Sequence, residues 1–267
     1  MKKNRILLTI AILSILTFIV VTNITYAKNT GDRIPVLMYH HIIKENNNNL
    51  ETFENSSIIS LEQFKREMGW LKENGYSTIT TNDLYEFIVH KKALPPSPVL
   101  ITFDDGYKSN IELAYPVLKE NGQKAAIFVI GHAVEDASSA SPIYHIFPFL
   151  NFYDMLNTTD VFEFHNHTYD LHKFENVKPK LVTSKKEEII KDFQSYGKIL
   201  NHESFSYPYG AYNNRTIKIL KNFNYKTAFT TRPAYAYKNT DPYKIPRFGI
   251  SSKTTMEEFI AIVSGQK

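Results

Sequence analysis

An α/β fold, in which strands of a parallel sheet alternate with helices in one large domain, is what this sequence predicts, and three observations predict it. Short β-branched or aromatic runs recur between longer segments whose apolar residues repeat at helical spacing. Proline, glycine and asparagine punctuate the junctions. The chain has 267 residues, 43% hydrophobic and 22% charged, which is enough for a full core, and no internal repeat suggests an array.

The first 27 residues stand apart. Lys2, Lys3 and Arg5 precede an uncharged apolar stretch from Ile6 to Val21, and Thr25-Tyr26-Ala27 resembles a small-residue cleavage site. Residues 1–27 therefore read as a secretory signal, with an uncleaved membrane anchor as the alternative, because the stretch is slightly short for a span. Either way the folded domain, residues 28–267, is expected outside the cytoplasm, secreted or attached to the cell surface. With no cysteine, neither disulfides nor a lipid-modified cysteine is available, so packing must supply stability. The formal charge of +4 includes Lys2, Lys3 and Arg5, so the remainder is close to neutral. That excludes a nucleic-acid footprint and fits a wall component or an uncharged polymer. A monomer is expected, with membrane contact only through the N-terminal segment.

Ile34 to His41 reads as a first strand ending in two histidines, and Lys44 to Ser57, with Asn46 to Asn49 in a row, as a loop. Ser60 caps a helix from Leu61 to about Asn74, with Gln63 completing a capping box and Gly75 stopping it. Leu61, Phe64, Met68 and Leu71 are its core stripe. Thr81 caps a second helix through His90. Pro95, Pro96 and Pro98 precede the run Val99 to Phe103 and Gly106 follows it, which marks a buried strand. A helix from Asn110 to Asn121, closed by Gly122, leads to a strand from Lys124 to Gly131. A helix near Phe149 to Leu156, a strand ending near His165 and a long helix from about Ser184 to Leu200 come next. The strand Phe205 to Tyr207, the helix Asn214 to Phe223, the strand Lys226 to Thr230 and the segment Lys244 to Ile250 complete the order. Repeated βα units make a parallel sheet, and if it closes into a barrel the site lies at the carboxyl ends of the strands.

Chemistry concentrates at two such ends. Asp104 and Asp105 follow the run ending at Phe103, and Gly106 supplies the break that lets two neighbouring carboxylates reach one site. Downstream, Phe162 to His172 holds His165, His167 and His172. On a helix His167 and His172 would sit roughly 140° apart, so a strand end and turn suit their convergence better. One carboxylate and two imidazoles form a three-ligand set for a divalent metal with a position open to water, the arrangement of a catalytic site. Zinc is the first expectation, and cobalt, nickel, manganese or iron fit the same donors. His165 is expected to face away from the metal, and His40 to take part in the site.

Three motifs carry a resemblance. TFDDGY at Thr102 to Tyr107, HTYDLH at His167 to His172 and SYPYG at Ser206 to Gly210 resemble the first three motifs of the polysaccharide deacetylases, carbohydrate esterase family 4. The resemblance implies a single distorted (β/α) barrel of the NodB-homology type. It also implies metal-dependent hydrolytic N-deacetylation of N-acetylglucosamine units in an extracellular or cell-wall polysaccharide, with release of acetate. The five-residue step between the histidines, the wording SYPYGAYN and the opening LMYHH are most similar to the branch acting on poly-β-1,6-N-acetylglucosamine of biofilms. Peptidoglycan or chitin-type deacetylation is the alternative. By the resemblance Asp104 is the general base, Asp105, His167 and His172 hold the metal, and the backbone N–H of Tyr209 helps form an oxyanion hole. Tyr107 and Tyr209 are expected near the substrate.

Two departures matter. The common third motif has an arginine where this chain has Ser206, and Arg247, in Ile245-Pro246-Arg247-Phe248, is the candidate partner that keeps the base ionised. The late leucine-x-histidine motif is absent, since Gly249 to Phe259 contains no histidine. The general acid then falls to His40, to His41, or to protonated Asp104 returning its proton. These gaps motivate a rival reading, a catalytically weak carbohydrate-binding protein on the same fold. A non-haem iron oxygenase, which also uses two histidines and a carboxylate, would require an all-β barrel.

Overall fold

A computed structural model of the chain describes residues 33–44, 57–143, 146–200 and 203–267. The expected signal or anchor and most of the loop from Lys44 to Ser57 lie outside the described residues. Among the described residues, no helix is long and apolar enough to cross a membrane.

The first expected strand is divided. Val36–Tyr39 (β1) enters the main sheet, whereas His41–Ile43 (β2) pairs with Ile58–Ser60 (β3) in a small separate sheet. The division falls at His40 because the Tyr39 carbonyl accepts the Asp104 amide at the last rung, while the His41 amide turns to the Ser57 carbonyl. The main sheet then gathers Ser77–Thr78 (β4), Pro98–Phe103 (β5), Ala125–Val129 (β6) and Phe162–Asn166 (β7). After a small hairpin of Phe174–Glu175 (β8) and Lys178–Pro179 (β9) come Ser204–Ser206 (β10), Thr227–Phe229 (β11) and Phe248–Gly249 (β12).

Neighbours run β11-β10-β7-β6-β5-β1-β12, all parallel. Lys244 to Ile250, expected as one strand, closes the ring in two steps: Ile245 bridges Phe229 of β11, and Phe248 and Gly249 pair with Leu37 and Met38 of β1. Between these contacts the chain is not paired as strand, which distorts the barrel and sends the Arg247 side chain inward. The parallel α/β architecture rules out the all-β barrel of an iron oxygenase.

Buried Leu37, Ile101, Phe103, Ile127 and Val129 pack under Phe64, Met68 and Leu71 of helix Leu61–Glu73. Two capping expectations need correction. Ser60 does accept the Gln63 amide at 3.1 Å, but no reciprocal box forms, because the Gln63 amide group is drawn inward to Glu67 Oε1 and the Ser251 carbonyl. Helix Thr81–His90 is capped by Thr80, boxed with Asp83, rather than by Thr81, whose hydroxyl is buried against His165. The expected helix from Asn110 to Asn121 starts with a π-helical turn, Asn110–Ala114, and becomes α-helical at Tyr115–Asn121. Pro116 cannot donate a backbone hydrogen bond, which suits it to the first turn of the α segment. Sequence periodicity also passed over the short helices Gly131–Ala137 and Met256–Val263.

Candidate active site

Register builds the site. Tyr39 of β1 lies opposite Phe103 of β5, and Asn166 of β7 lies opposite Phe205 of β10. The next residues at these carboxyl ends are His40, Asp104, His167 and Ser206, so the four form one layer at the mouth of the barrel.

The backbone turns sharply after Asp104. Asp105 and Gly106 both take left-handed conformations, φ +71° and +81°, and this brings two adjacent carboxylates to the same site. A side chain at Gly106 would meet Val129, with a Cβ 3.0 Å from Cγ1, so the position admits only glycine without rearrangement.

Asp104 is 2% exposed and gripped by the fully buried Arg247. Nη1 and Nη2 donate to its two oxygens at 2.7 and 2.6 Å, a bidentate pair. Ser206 completes the clasp: its hydroxyl donates to Asp104 Oδ2 at 3.0 Å and accepts from Arg247 Nη2 at 2.8 Å. The guanidinium also donates to the Thr230 carbonyl and Thr102 hydroxyl, and packs between the faces of Phe128 and Phe229. Arginine enters from the closing segment, and the small Ser206 leaves it room. Burial alone would raise the Asp104 pKa, but the charge of Arg247, aided by His167, overrides it and holds Asp104 at about 2.

The other carboxylate faces the imidazoles. Asp105 Oδ1 lies 3.4 Å from His167 Nε2 and 3.3 Å from His172 Nε2, and the ligand atoms of all three residues lie within 4.8 Å of one another. That oxygen is buried and accepts no hydrogen bond of good geometry. His167 Nδ1 donates to the Ser206 carbonyl at 2.8 Å, which fixes the tautomer and leaves Nε2 bare towards Asp105. His172 Nδ1 faces the Tyr209 hydroxyl at 3.4 Å, again leaving Nε2 turned inward. Burial opposes charge on every member. It is outweighed at Asp105, held well below the ordinary carboxylate range by His167 and His172, and at His167, raised by the two aspartates. At His172 burial and the His167 charge win, pushing the ring down to about 4, so it is a neutral donor. An unpaired buried carboxylate oxygen and two oriented imidazole nitrogens suit a divalent cation, and this donor set fits one.

The remaining expected residues fall as follows. The ring of His40 lies close enough to Asp104 and Asp105 for its charge to lower both pKa values, and its carbonyl is anchored by Asn110 at 2.7 Å. His41 points elsewhere, with Nδ1 2.9 Å from the Ser109 hydroxyl and its ring against Tyr107 and Phe147; burial lowers it to about 4. His165 faces outward to Thr81 and Glu163. Tyr209 takes φ +57° in a 3-10 turn, and Gly210 behind it is obligatory, because a Cβ there would stand 2.1 Å from Thr231 Oγ1.

Sequence reasoning missed Asp192. From helix Lys186–Tyr196, its carboxylate accepts the amides of Tyr169 and Asp170 at 2.9 and 2.7 Å, clamping the turn between the two histidines. An available signal was an acid in the apolar stripe Ile189, Phe193 and Tyr196.

A family model described as polysaccharide deacetylase matches residues 91–228, more than half of the chain. The chain belongs to the polysaccharide deacetylase family. It is accordingly a hydrolase of amide bonds that acts on a polysaccharide. It is 30% identical over 245 residues to YxkH of Bacillus subtilis (strain 168), covering 88% of this chain and 77% of that protein. It is 32% identical over 234 residues to the poly-β-1,6-N-acetyl-D-glucosamine N-deacetylase of Staphylococcus aureus (strain MSSA476), covering 80% and 78%. The fold matches IcaB from Ammonifex degensii with a TM-score of 0.73 at 23% identity, covering 88% of this chain and 98% of that one.

Proposed function

We propose that this deacetylase removes acetyl groups from N-acetylglucosamine units of an extracellular polymer, in first place poly-β-1,6-N-acetylglucosamine. The cation would be held by Asp105, His167 and His172, with zinc first and cobalt or nickel as alternatives. The Staphylococcus aureus relative supports the choice of polymer through the activity in its name. The bidentate pair of Arg247 and Asp104, set beside three converging ligand atoms, carries the reading most strongly.

A divalent cation held by these residues would supply Lewis acidity and would lower the pKa of a bound water to about 7. Asp104, ionised throughout the neutral range, takes one proton from the attacking water as its oxygen bonds to the carbonyl carbon. The backbone N–H of Tyr209, presented by its left-handed turn, donates to the developing oxyanion, a contribution on the order of 3 kcal/mol. Collapse breaks the carbon–nitrogen bond. A proton from His40, or the one held on Asp104, reaches the departing nitrogen, leaving acetate and a free sugar amine. The Arg247 guanidinium and the Ser206 hydroxyl bind the base, and the Ser206 carbonyl orients His167, so both act as positioning residues.

Acetate release from defined β-1,6 and β-1,4 oligomers of N-acetylglucosamine and from peptidoglycan, after chelation and again after adding zinc or cobalt, tests the reading. Release is expected from the β-1,6 oligomers and only with metal restored. Preference for another polymer would overturn the substrate, release by the chelated protein would overturn the metal, and binding without release would favour the carbohydrate-binding rival.

A further inference from the structure

Beyond the ligands runs a row of rings that the chemistry does not require. The His167 and His172 rings lie 4.7 Å apart, His172 and Tyr209 4.6 Å, and Tyr209 and Phe174 4.3 Å. The outer two are large aromatics left in solvent, Tyr209 at 43% and Phe174 at 53% exposure. Phe174 is held there by the hairpin of β8 and β9, where it pairs with Pro179, and the turn passes through Asn176 at φ +56°. A hairpin built to display a phenylalanine against an active-site tyrosine calls for a ligand.

The surroundings narrow its chemistry. Lys173 is bridged to Asp170 at 2.7 Å, and Glu175 lies opposite Lys178 in the hairpin, so charges beside the row come in opposite pairs. A phosphate or a polyanion finds no excess of positive charge. Two rings, with Val177 exposed at the hairpin tip, still make a small patch for a protein or lipid surface. Flat apolar faces continuous with the reacting centre suit the C–H face of a pyranose.

We propose that Phe174 and Tyr209 form a subsite for the uncharged N-acetylhexosamine unit next to the one that loses its acetyl group. This rests on the deacetylase reading above. Phe174 then makes the enzyme favour a chain over a single sugar, because only a chain can occupy the reacting position and the ring platform together.

The test uses calorimetric titration of the zinc-loaded Asp104→Asn protein with N-acetylglucosamine and with its β-1,6 pentamer. Adding Phe174→Ala is expected to weaken pentamer binding about three- to tenfold, the scale of one aromatic contact, and to erase much of the advantage of pentamer over monosaccharide. Phe174→Trp should restore it and Phe174→Leu should not, which separates a ring contact from loss of hairpin structure. Equal pentamer affinity with and without Phe174, or an equal loss for the monosaccharide, would overturn the subsite. Acetate release by the otherwise unaltered enzyme distinguishes the two claims. Release whose dependence on chain length survives Phe174→Ala sinks the subsite and spares the deacetylase reading. Ring-dependent binding without release does the reverse.

Discussion

Arg247→Ala exposes the energetics of Asp104, the proposed base, most clearly. The substitution removes the guanidinium that meets Asp104 at 2.7 and 2.6 Å and leaves a carboxylate, 2% exposed, with the Ser206 hydroxyl as its remaining hydrogen-bond donor. Breaking such a buried pair from one side costs about 3–5 kcal/mol near pH 7. With Arg247 in place Asp104 sits at about 2 rather than 3.8, which corresponds to about 2 kcal/mol of stabilisation at about 1.4 kcal/mol per pH unit. Because the folded pKa is depressed, that stabilisation is present above about pH 4 and is lost as pH falls towards 2. Without Arg247, burial, the largest influence on this carboxyl, is opposed by His167 and His40 alone and lifts its pKa, so the variant gains relative to the parent as acid protonates Asp104. The penalty is therefore largest near pH 7 and shrinks towards pH 4.5. Urea denaturation with chelator present, at both pH values, should show this for the parent, Arg247→Ala, Asp104→Asn and the double variant. The double variant should be less destabilised than the sum of the singles by about 1–3 kcal/mol. A penalty independent of pH, or strict additivity, would refute the reasoning.

Other outcomes follow from the same geometry. Asp104→Asn should keep metal affinity and lose about 10²- to 10⁴-fold in acetate release, measured beside a zinc titration; full activity would remove Asp104 as base. His167→Ala should lose both metal and turnover, since it removes one of the three converging ligand atoms. Asp192→Asn, with one acceptor for two amides, should weaken metal binding by about 10- to 100-fold, and excess metal should restore turnover. Gly210→Ala should lower turnover by displacing the Tyr209 amide, because its Cβ would meet Thr231.

Much of this centre was legible in the sequence because its parts are local. Asp104, His167 and Ser206 each directly follow or end a short strand, with Asp105 one residue beyond Asp104, and a parallel sheet places such ends side by side. Arg247 could be proposed because the base needs a cation where Ser206 provides none, but its bidentate grip depends on how the closing segment threads between β11 and β1. The long-range clamp from Asp192 and the inward turn of Gln63 left weaker signals, since both depend on tertiary partners. Element boundaries shifted for a similar reason. His40 divides a single apolar run only because Tyr39 meets Asp104 while His41 meets Ser57. Phe174 lies outside every motif, and its position depends on a hairpin of two-residue strands with no periodicity to read.

Crystals grown with zinc and measured on both sides of its absorption edge would locate the cation directly. The predicted result is one anomalous peak about 2.0–2.2 Å from Asp105 Oδ1, His167 Nε2 and His172 Nε2, with Asp104 still clasped by Arg247. A peak bound elsewhere, or ordered zinc that leaves those three atoms free, would contradict it.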